Sequence, residues 1–229
     1  MTTCQHTTKQ HPHGQTDPAA EAAAEAKLRE RMSAIGQKLL VVSGKGGVGK
    51  STVAVNLAAA LAREGKQVGL LDVDVHGPSI PTLLRVCDRE VHVDDGRIQP
   101  IRVSTTLKMM SMVFLLPSGT DAVIWRGPRK YGAIRQFLQD VEWGQLDYLV
   151  IDCPPGTGDE PLAVAQLVGQ PAAGIIVTTP QQVAVNDVRR CVTFCRSVSL
   201  TVMGIIENMS GFVCPHCGKA TDLFKSGGG

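Results

Sequence analysis

Gly44-Lys45-Gly46-Gly47-Val48-Gly49-Lys50-Ser51 fits the pattern G-x-x-x-x-G-K-[ST] at every fixed position. Glycine lets the backbone follow a tight path, so that successive N–H groups can face one phosphate. A helix starting where the loop ends adds partial positive charge at the same place. The Lys50 ammonium can then reach β- and γ-phosphates, while the Ser51 hydroxyl can ligate Mg²⁺. Carboxylates suited to a magnesium-bound water fall at the ends of apolar runs, where open α/β sheets place their ligands. Asp152 closes LDYLVID, and Asp72 and Asp74 end QVGLLDVD. Asp72 and Asp74, two positions apart at this strand end, are expected to divide the work, one toward Mg²⁺ and one toward an attacking water. The segment CPPGTGD after Asp152 has the Pro/Gly content of a loop, and the Gly156 N–H could sense a γ-phosphate from it.

A second centre is Cys214-Pro215-His216-Cys217. Two thiolates at this spacing can chelate one soft metal, but they supply only two of four ligands. A two-fold dimer would bring two copies together and complete a Cys₄ set. Such a set suits a bridging [4Fe–4S] cluster, and its geometry and ligand type suit Zn²⁺ nearly as well. The same spelling is redox-active where a helix N-terminus lowers a thiol pKa, but such sites lie near the start of a thioredoxin-like βαβ pattern. Here the pair follows a phosphate-loop domain. Of the seven cysteines, Cys191 and Cys195 share a helix face at i,i+4 and are expected as small buried hydrophobes, as is Cys153. Cys87 has no assigned role. Cys4 with His6, His11 and His13 could bind a metal, although histidines in tails are more commonly solvated.

These groups need elements to hold them. KLLVVSG, from Lys38, is a continuous apolar run ending in glycine, as expected of a strand buried on both faces. STVAVNLAAALAR has apolar residues at helical spacing. QVGLLDVD, LDYLVID, GIIVTTP and TVMGIIEN supply further strands, and Trp125–Gln139 reads as a helix after Pro128. Strands alternating with helices predict an α/β fold, with a mostly parallel sheet, right-handed crossovers and helices on both faces. Residues 91–116 mix short β-like runs with turn residues and are not assigned. Residues 1–37 read as a flexible tail followed by a short solvated helix, EAAAEAKLRERMSAIG, which Gly36 ends; residues 38–229 form the phosphate-loop domain.

Composition narrows the function. The 229 residues carry 23 Lys+Arg against 21 Asp+Glu, a formal charge of +2, too mild to argue for nucleic acid. Only 4% are aromatic, which disfavours a base-stacking surface. No run approaches the roughly 18 apolar residues that would span a bilayer, and no secretory leader opens the sequence. A cytoplasmic setting with reduced thiols is expected, with no nucleic-acid or membrane partner.

GKGGVGKS, with a lysine directly after its first glycine, resembles the deviant Walker A loop of the MinD/ParA/nitrogenase-iron-protein class of P-loop ATPases (the SIMIBI class). DVDVHGPSIP, DCPPGTGDEPL and IENMSGFVCPHCG, in that order, resemble the Mrp/ApbC (Nbp-type) iron–sulfur cluster carriers within it. The resemblance runs from about Leu39 to the last residue. It implies a homodimeric, Mg²⁺-dependent ATPase that carries a [4Fe–4S] cluster on Cys214 and Cys217 and delivers it to apo-proteins. It further implies that Lys45 crosses the dimer interface to the partner's nucleotide, and that Asp74 activates water. Thr52 is placed near the α-phosphate and Asn208 near adenine. Positive charge set on the transferring phosphoryl group is a sound physical use for Lys45. Some eukaryotic relatives carry an N-terminal cysteine cluster, of which Cys4 alone is present. Family members continue with a further strand and helix after the cysteine pair, so the chain reads as short at its C-terminus. A ParA/MinD-like positioning ATPase shares the loop and Lys45 and is the alternative; the near-neutral charge and the CPHC pair count against it. A nitrogenase-like reductase expects its cluster cysteines widely separated.

Overall fold

The computed structural model describes residues 18–74, 77, 79–115, 127–181 and 184–221. The order is α1 (Pro18–Ser33), β1 (Ile35–Val42), α2 (Lys50–Arg63), β2 (Val68–Asp72) and α3 (Ile80–Leu83). The short strands β3 (Val93–Asp94), β4 (Arg97–Ile98) and β5 (Ile101–Arg102) precede β6 (Leu107–Ser111) and a 3₁₀ turn, Met112–Leu115. Then come α4 (Gly127–Asp140), β7 (Leu146–Asp152), α5 (Asp159–Val168), β8 (Ala172–Thr178), α6 (Ala184–Ser197) and β9 (Thr201–Glu207). The hairpin β10 (Phe212–Val213) and β11 (Ala220–Thr221) ends the described chain.

Seven strands form one sheet in the order β5-β6-β2-β7-β1-β8-β9, parallel except for the β5–β6 pair. The alternation of side chains along each strand divides the core into two layers. On β1, Leu39 and Val41 join Ala54, Ala58 and Ala62 of α2, while Leu40 and Val42 point to the other face. On that second face α1, α4, α5 and α6 bury Leu28, Met32, Phe137, Val164 and Cys191 against the sheet. The predicted doubly covered, mostly parallel sheet is therefore the observed one.

Two local expectations are corrected. Gly36 does not end the first helix: α1 stops at Ser33, and Gly36 lies inside β1, where a Cβ would meet the Asp147 carbonyl oxygen at 2.9 Å. Nor is α1 a solvated lead-in. Leu28 and Met32 are buried, Lys27 pairs with Asp140 at 2.9 Å, and Arg31 grips Glu142 through both oxygens at 2.6 and 2.9 Å. The unassigned stretch 91–116 contains β6, a full partner of β2. Cys4, His6, His11, His13, Trp125, Arg126 and the last residues, 222–229, lie outside the described residues.

Candidate functional site: a phosphate loop and a cysteine hairpin

The loop from Gly44 to Gly49 joins the C-terminal end of β1 to the first turn of α2. Gly47 and Gly49 hold φ of 78° and 84°, the left-handed region that costs other residues about 1–2 kcal/mol. Gly44 is required for a different reason. A Cβ there would meet Asp187 of α6 at 2.5 Å, so the loop begins by packing directly on that helix. The loop walls a cleft of about 260 Å³ with Ser43, Thr52, Asp74, Gly77, Ser79 and Pro155. Gly46, Val48, Lys50 and Ser51 line the same cleft.

Beneath it, Lys50 forms an ion pair with Asp152, and both side chains are buried. Burial pushes the Asp152 carboxyl up, and the Lys50 charge and the Ser51 hydroxyl oppose that rise. The second oxygen of Asp152, Oδ2, is buried and has no hydrogen-bond partner among the described residues. Asp72, its register partner on β2, is fully buried. The Ser111 hydroxyl donates to Asp72 Oδ2 at 3.1 Å, and the Asp74 N–H donates to Oδ1 at 3.1 Å. Burial first, then the neighbouring charge of Asp152, raises the Asp72 carboxyl to about 7.

The strand stops at Asp72, so Asp74 is not a strand residue and the two carboxylates part where the chain leaves the sheet. Asp74 lies past the strand end, where its Oδ1 accepts from the Gly77 N–H at 3.2 Å, on the wall of the cleft. Asp72 and Asp152 are instead stacked on neighbouring strands below the loop. The Gly156 N–H donates to the Ser43 carbonyl at 2.7 Å, so any phosphate sensing through that amide requires this bond to open. Lys45 reaches across to Gln181, donating to its Oε1 at 3.3 Å. Asn208 donates from its side-chain amide to the Val48 carbonyl at 2.9 Å. Sequence reasoning missed Ser111 and Gln181. Ser111 ends the apolar run LKMMS, the signature that singled out Asp152, but its neighbourhood was unassigned.

The cysteine pair sits on the β10–β11 hairpin. The Cys214 N–H donates to Lys219 O at 3.0 Å and the Gly218 N–H returns to Cys214 O at 2.8 Å. Within this turn the N–H groups of Cys217 and His216 bond the Cys214 sulfur and pull its thiol below the usual range. Hydrogen bonds of that kind favour a thiolate, the form that binds metals. The motif lies in a hairpin turn, not at a helix N-terminus, so the context of a redox CPHC is missing. Cys214 is half-buried, Cys217 is exposed, and both carry free thiols. Among the described residues no group of three or more His, Cys, Asp or Glu could hold a metal. Cys153, Cys191 and Cys195 are buried as expected, and Cys87 is exposed, with its sulfur 3.5 Å from the Thr82 hydroxyl.

Comparison with known proteins agrees with this geometry. A protein named an iron–sulfur cluster carrier protein, from Methanocaldococcus jannaschii, is 53% identical over 208 residues, covering 91% of this chain and 72% of its own. The bovine cytosolic Fe-S cluster assembly factor NUBP2 is 52% identical over 213 residues, covering 91% and 78%. A nucleotide-binding protein from Archaeoglobus fulgidus, solved in complex with ADP, superposes with a TM-score of 0.78 at 44% identity, covering 89% and 79%. The septum site-determining protein MinD of Pyrococcus horikoshii, with Mg-ADP, has a TM-score of 0.56 at 23% identity over 76% of this chain and 70% of its own, and shows the shared fold alone. The family model for ParA, the NUBPL iron-transfer P-loop NTPases, matches residues 34–229. The family expected from the four motifs is therefore the family found: this chain belongs to the ParA/NUBPL iron-transfer P-loop NTPases.

Proposed function

We propose that the protein is an ATP-binding and ATP-hydrolysing carrier that holds a [4Fe–4S] cluster between two protomers and transfers it to apo-proteins in the cytoplasm. The observation that carries this reading is the half site on the hairpin. Two cysteines, one with its sulfur receiving backbone N–H groups, wait for two more thiolates. A second copy related by a two-fold axis supplies an identical pair. The relatives named as cluster carriers support iron–sulfur cargo over zinc.

The nucleotide side is supported by chemistry at the loop. Gly44, Gly46, Gly47, Val48 and Gly49 supply a backbone path that can wrap the phosphates, and Thr52 lines the cleft beside them. Mg²⁺ fits here: the unpartnered Asp152 Oδ2 is placed to accept from a metal-bound water, and the Ser51 hydroxyl lies at the start of α2 to serve as ligand. When bound, the ion would neutralise charge on the phosphates. Lys50 is then drawn from Asp152 toward the phosphates. Asp74, on the cleft wall, takes the proton of the water that attacks the γ-phosphorus as ADP leaves. Asp72 supports Asp152 from the next strand. Lys45 acts in trans, which makes hydrolysis depend on dimerisation. The carbonyl oxygen of the Asn208 amide is suited to accept from the adenine amino group.

Anaerobic reconstitution with iron and sulfide tests the reading. A brown dimer with about four iron atoms per two chains is expected. Cys214→Ala or Cys217→Ala should remove the colour and the iron while leaving ADP affinity unchanged. A wild-type chain that stays colourless and monomeric overturns the proposal.

A further inference from the structure

A second cavity lies away from the phosphate loop. It has a volume of about 350 Å³, against 260 Å³ for the phosphate cleft, and is walled by α1, α4 and the last turn of α5. The phosphate cleft includes Pro155, just before α5 begins, whereas this cavity includes Leu167 and Gly169 at the other end of that ten-residue helix. Such a helix spans about 15 Å, so the two cavities are separate.

Arg135 of α4 stands in the wall, its side chain 22% exposed. Its Nε and Nη2 atoms are shielded from solvent and have no hydrogen-bond partner among the described residues. The Glu21 carboxylate is 4.0 Å from Nη1, too far for a hydrogen bond. A guanidinium keeps its charge at any physiological pH. The fold therefore carries a largely desolvated cation with N–H groups left unpaired, which is a costly arrangement. Nε and Nη2 form one edge of the guanidinium fork, and such an edge matches the two oxygens of a carboxylate.

The other lining residues define what the carboxylate must bring with it. Glu21 and Glu25 set two negative charges against Arg29 and Arg135, so the charged side chains of the lining sum to zero. A simple anion would meet two glutamates of its own sign. A cation is favoured beside Glu21, which is 57% exposed and only loosely engaged by Arg135, and near the negative C-terminal end of α5. Leu28, Leu167 and the Tyr131 ring add apolar surface.

We propose that this cavity binds a free amino acid with an apolar side chain, its carboxylate on Arg135, its ammonium beside Glu21 and its side chain against Leu28 and Leu167. The guanidinium turns its Nε–Nη2 edge to the ligand and gains the acceptors it lacks. The end of a peptide presents only one of the two charges, so a protein terminus matches this lining less well. The site is independent of the phosphate loop and of the cysteine pair.

Calorimetry on the full chain tests the assignment with three probes of similar size. They are L-phenylalanine, L-phenylalaninamide, which lacks the carboxylate, and hydrocinnamate, which lacks the ammonium. L-Phenylalanine should bind, and each of the others should bind at least about 10-fold more weakly. Arg135→Met should abolish the binding of L-phenylalanine. Without ligand this variant should melt at or above the wild-type temperature, because it removes a cation whose N–H groups are unpaired. Glu21→Gln, on the exposed side of α1, should bind L-phenylalanine more weakly and melt like the wild type. A wild-type chain that does not bind L-phenylalanine overturns the proposal. So does a truncated probe that binds as tightly as the amino acid, or an Arg135→Met chain that keeps the affinity. An Arg135→Met chain that melts well below the wild type also overturns it, since the guanidinium would then be a structural group and not an unfilled site.

Discussion

The phosphate loop leaves β1, a strand paired on both sides and covered on both faces, and runs straight into a 14-residue helix. The cysteine hairpin follows β9, the strand at the sheet edge, and is closed by two pairs of residues and two backbone bonds. Around the loop, Asp72, Lys50 and Asp152 are buried among one another. On β9 Met203 is 57% exposed, and on the hairpin Val213 is 65% exposed. Phosphate recognition demands donors fixed before the ligand arrives, so its groups belong in the most constrained part of the fold. Under the proposed function the hairpin's cargo must be received and given up, which asks for accessible ligands, and a set completed by a partner could be opened again.

Several substitutions can break or sharpen this contrast. Lys50→Ala should have the largest effect on the isolated chain. It leaves Asp152 buried without its cation, at about 3–5 kcal/mol by denaturant unfolding, whereas Cys217→Ser on the exposed turn should stay within about 0.5 kcal/mol. Equal losses at the two positions would erase the distinction. Ser111→Ala removes the hydroxyl donor from a buried carboxyl and should cost about 1–3 kcal/mol, although Ser111 touches no nucleotide-loop residue in the hydrogen bonds described. A neutral outcome would mean that Asp72 is satisfied by the Asp74 N–H alone. The last test concerns pH. Asp72 ionises near 7 in the folded chain and near 3.8 in the unfolded one. The native state thus keeps a proton that the unfolded chain releases. Its contribution is complete below pH 3.8, declines as pH rises, and is lost above about 7. Asp72→Asn should flatten the stability profile of the nucleotide-free protein across that window, where this group alone adds a slope of at most about 1.4 kcal/mol per pH unit. Parallel profiles for the two proteins would show that Asp72 does not titrate there.

The legible parts of this molecule were those whose residue pattern is local. The phosphate loop, the buried runs of β1, β2, β7 and β8, and the CPHC pair each read from a few neighbouring residues. β6 did not, because LKMMS is short, carries a lysine, and is fixed as a strand only by its pairing with β2. The Ser111–Asp72 bond was lost with it. How Asp72 and Asp74 part was not legible, because the run VGLLDVD gives no sign that the strand ends at Asp72. Asn208 drew attention through family resemblance as a base contact, but its bond to Val48 spans 160 positions and has no sequence signature. Charge and composition gave no hint of the two ion pairs that anchor α1, since both depend on how α4 and the residues after it come to rest.

That anchoring has a practical consequence. The first helix supplies two core side chains and a guanidinium held at both ends by a carboxylate from the far side of the chain, more than a hundred residues away. Shortened versions of the protein that begin at the first strand, at Ile35, would remove Leu28 and Met32 from the core layer to which Ile134, Phe137 and Leu138 of α4 also belong. Fusion partners, cleavage sites and affinity handles therefore belong ahead of Pro18, and a protease that trims past that point would remove part of the hydrophobic interior and not a leader.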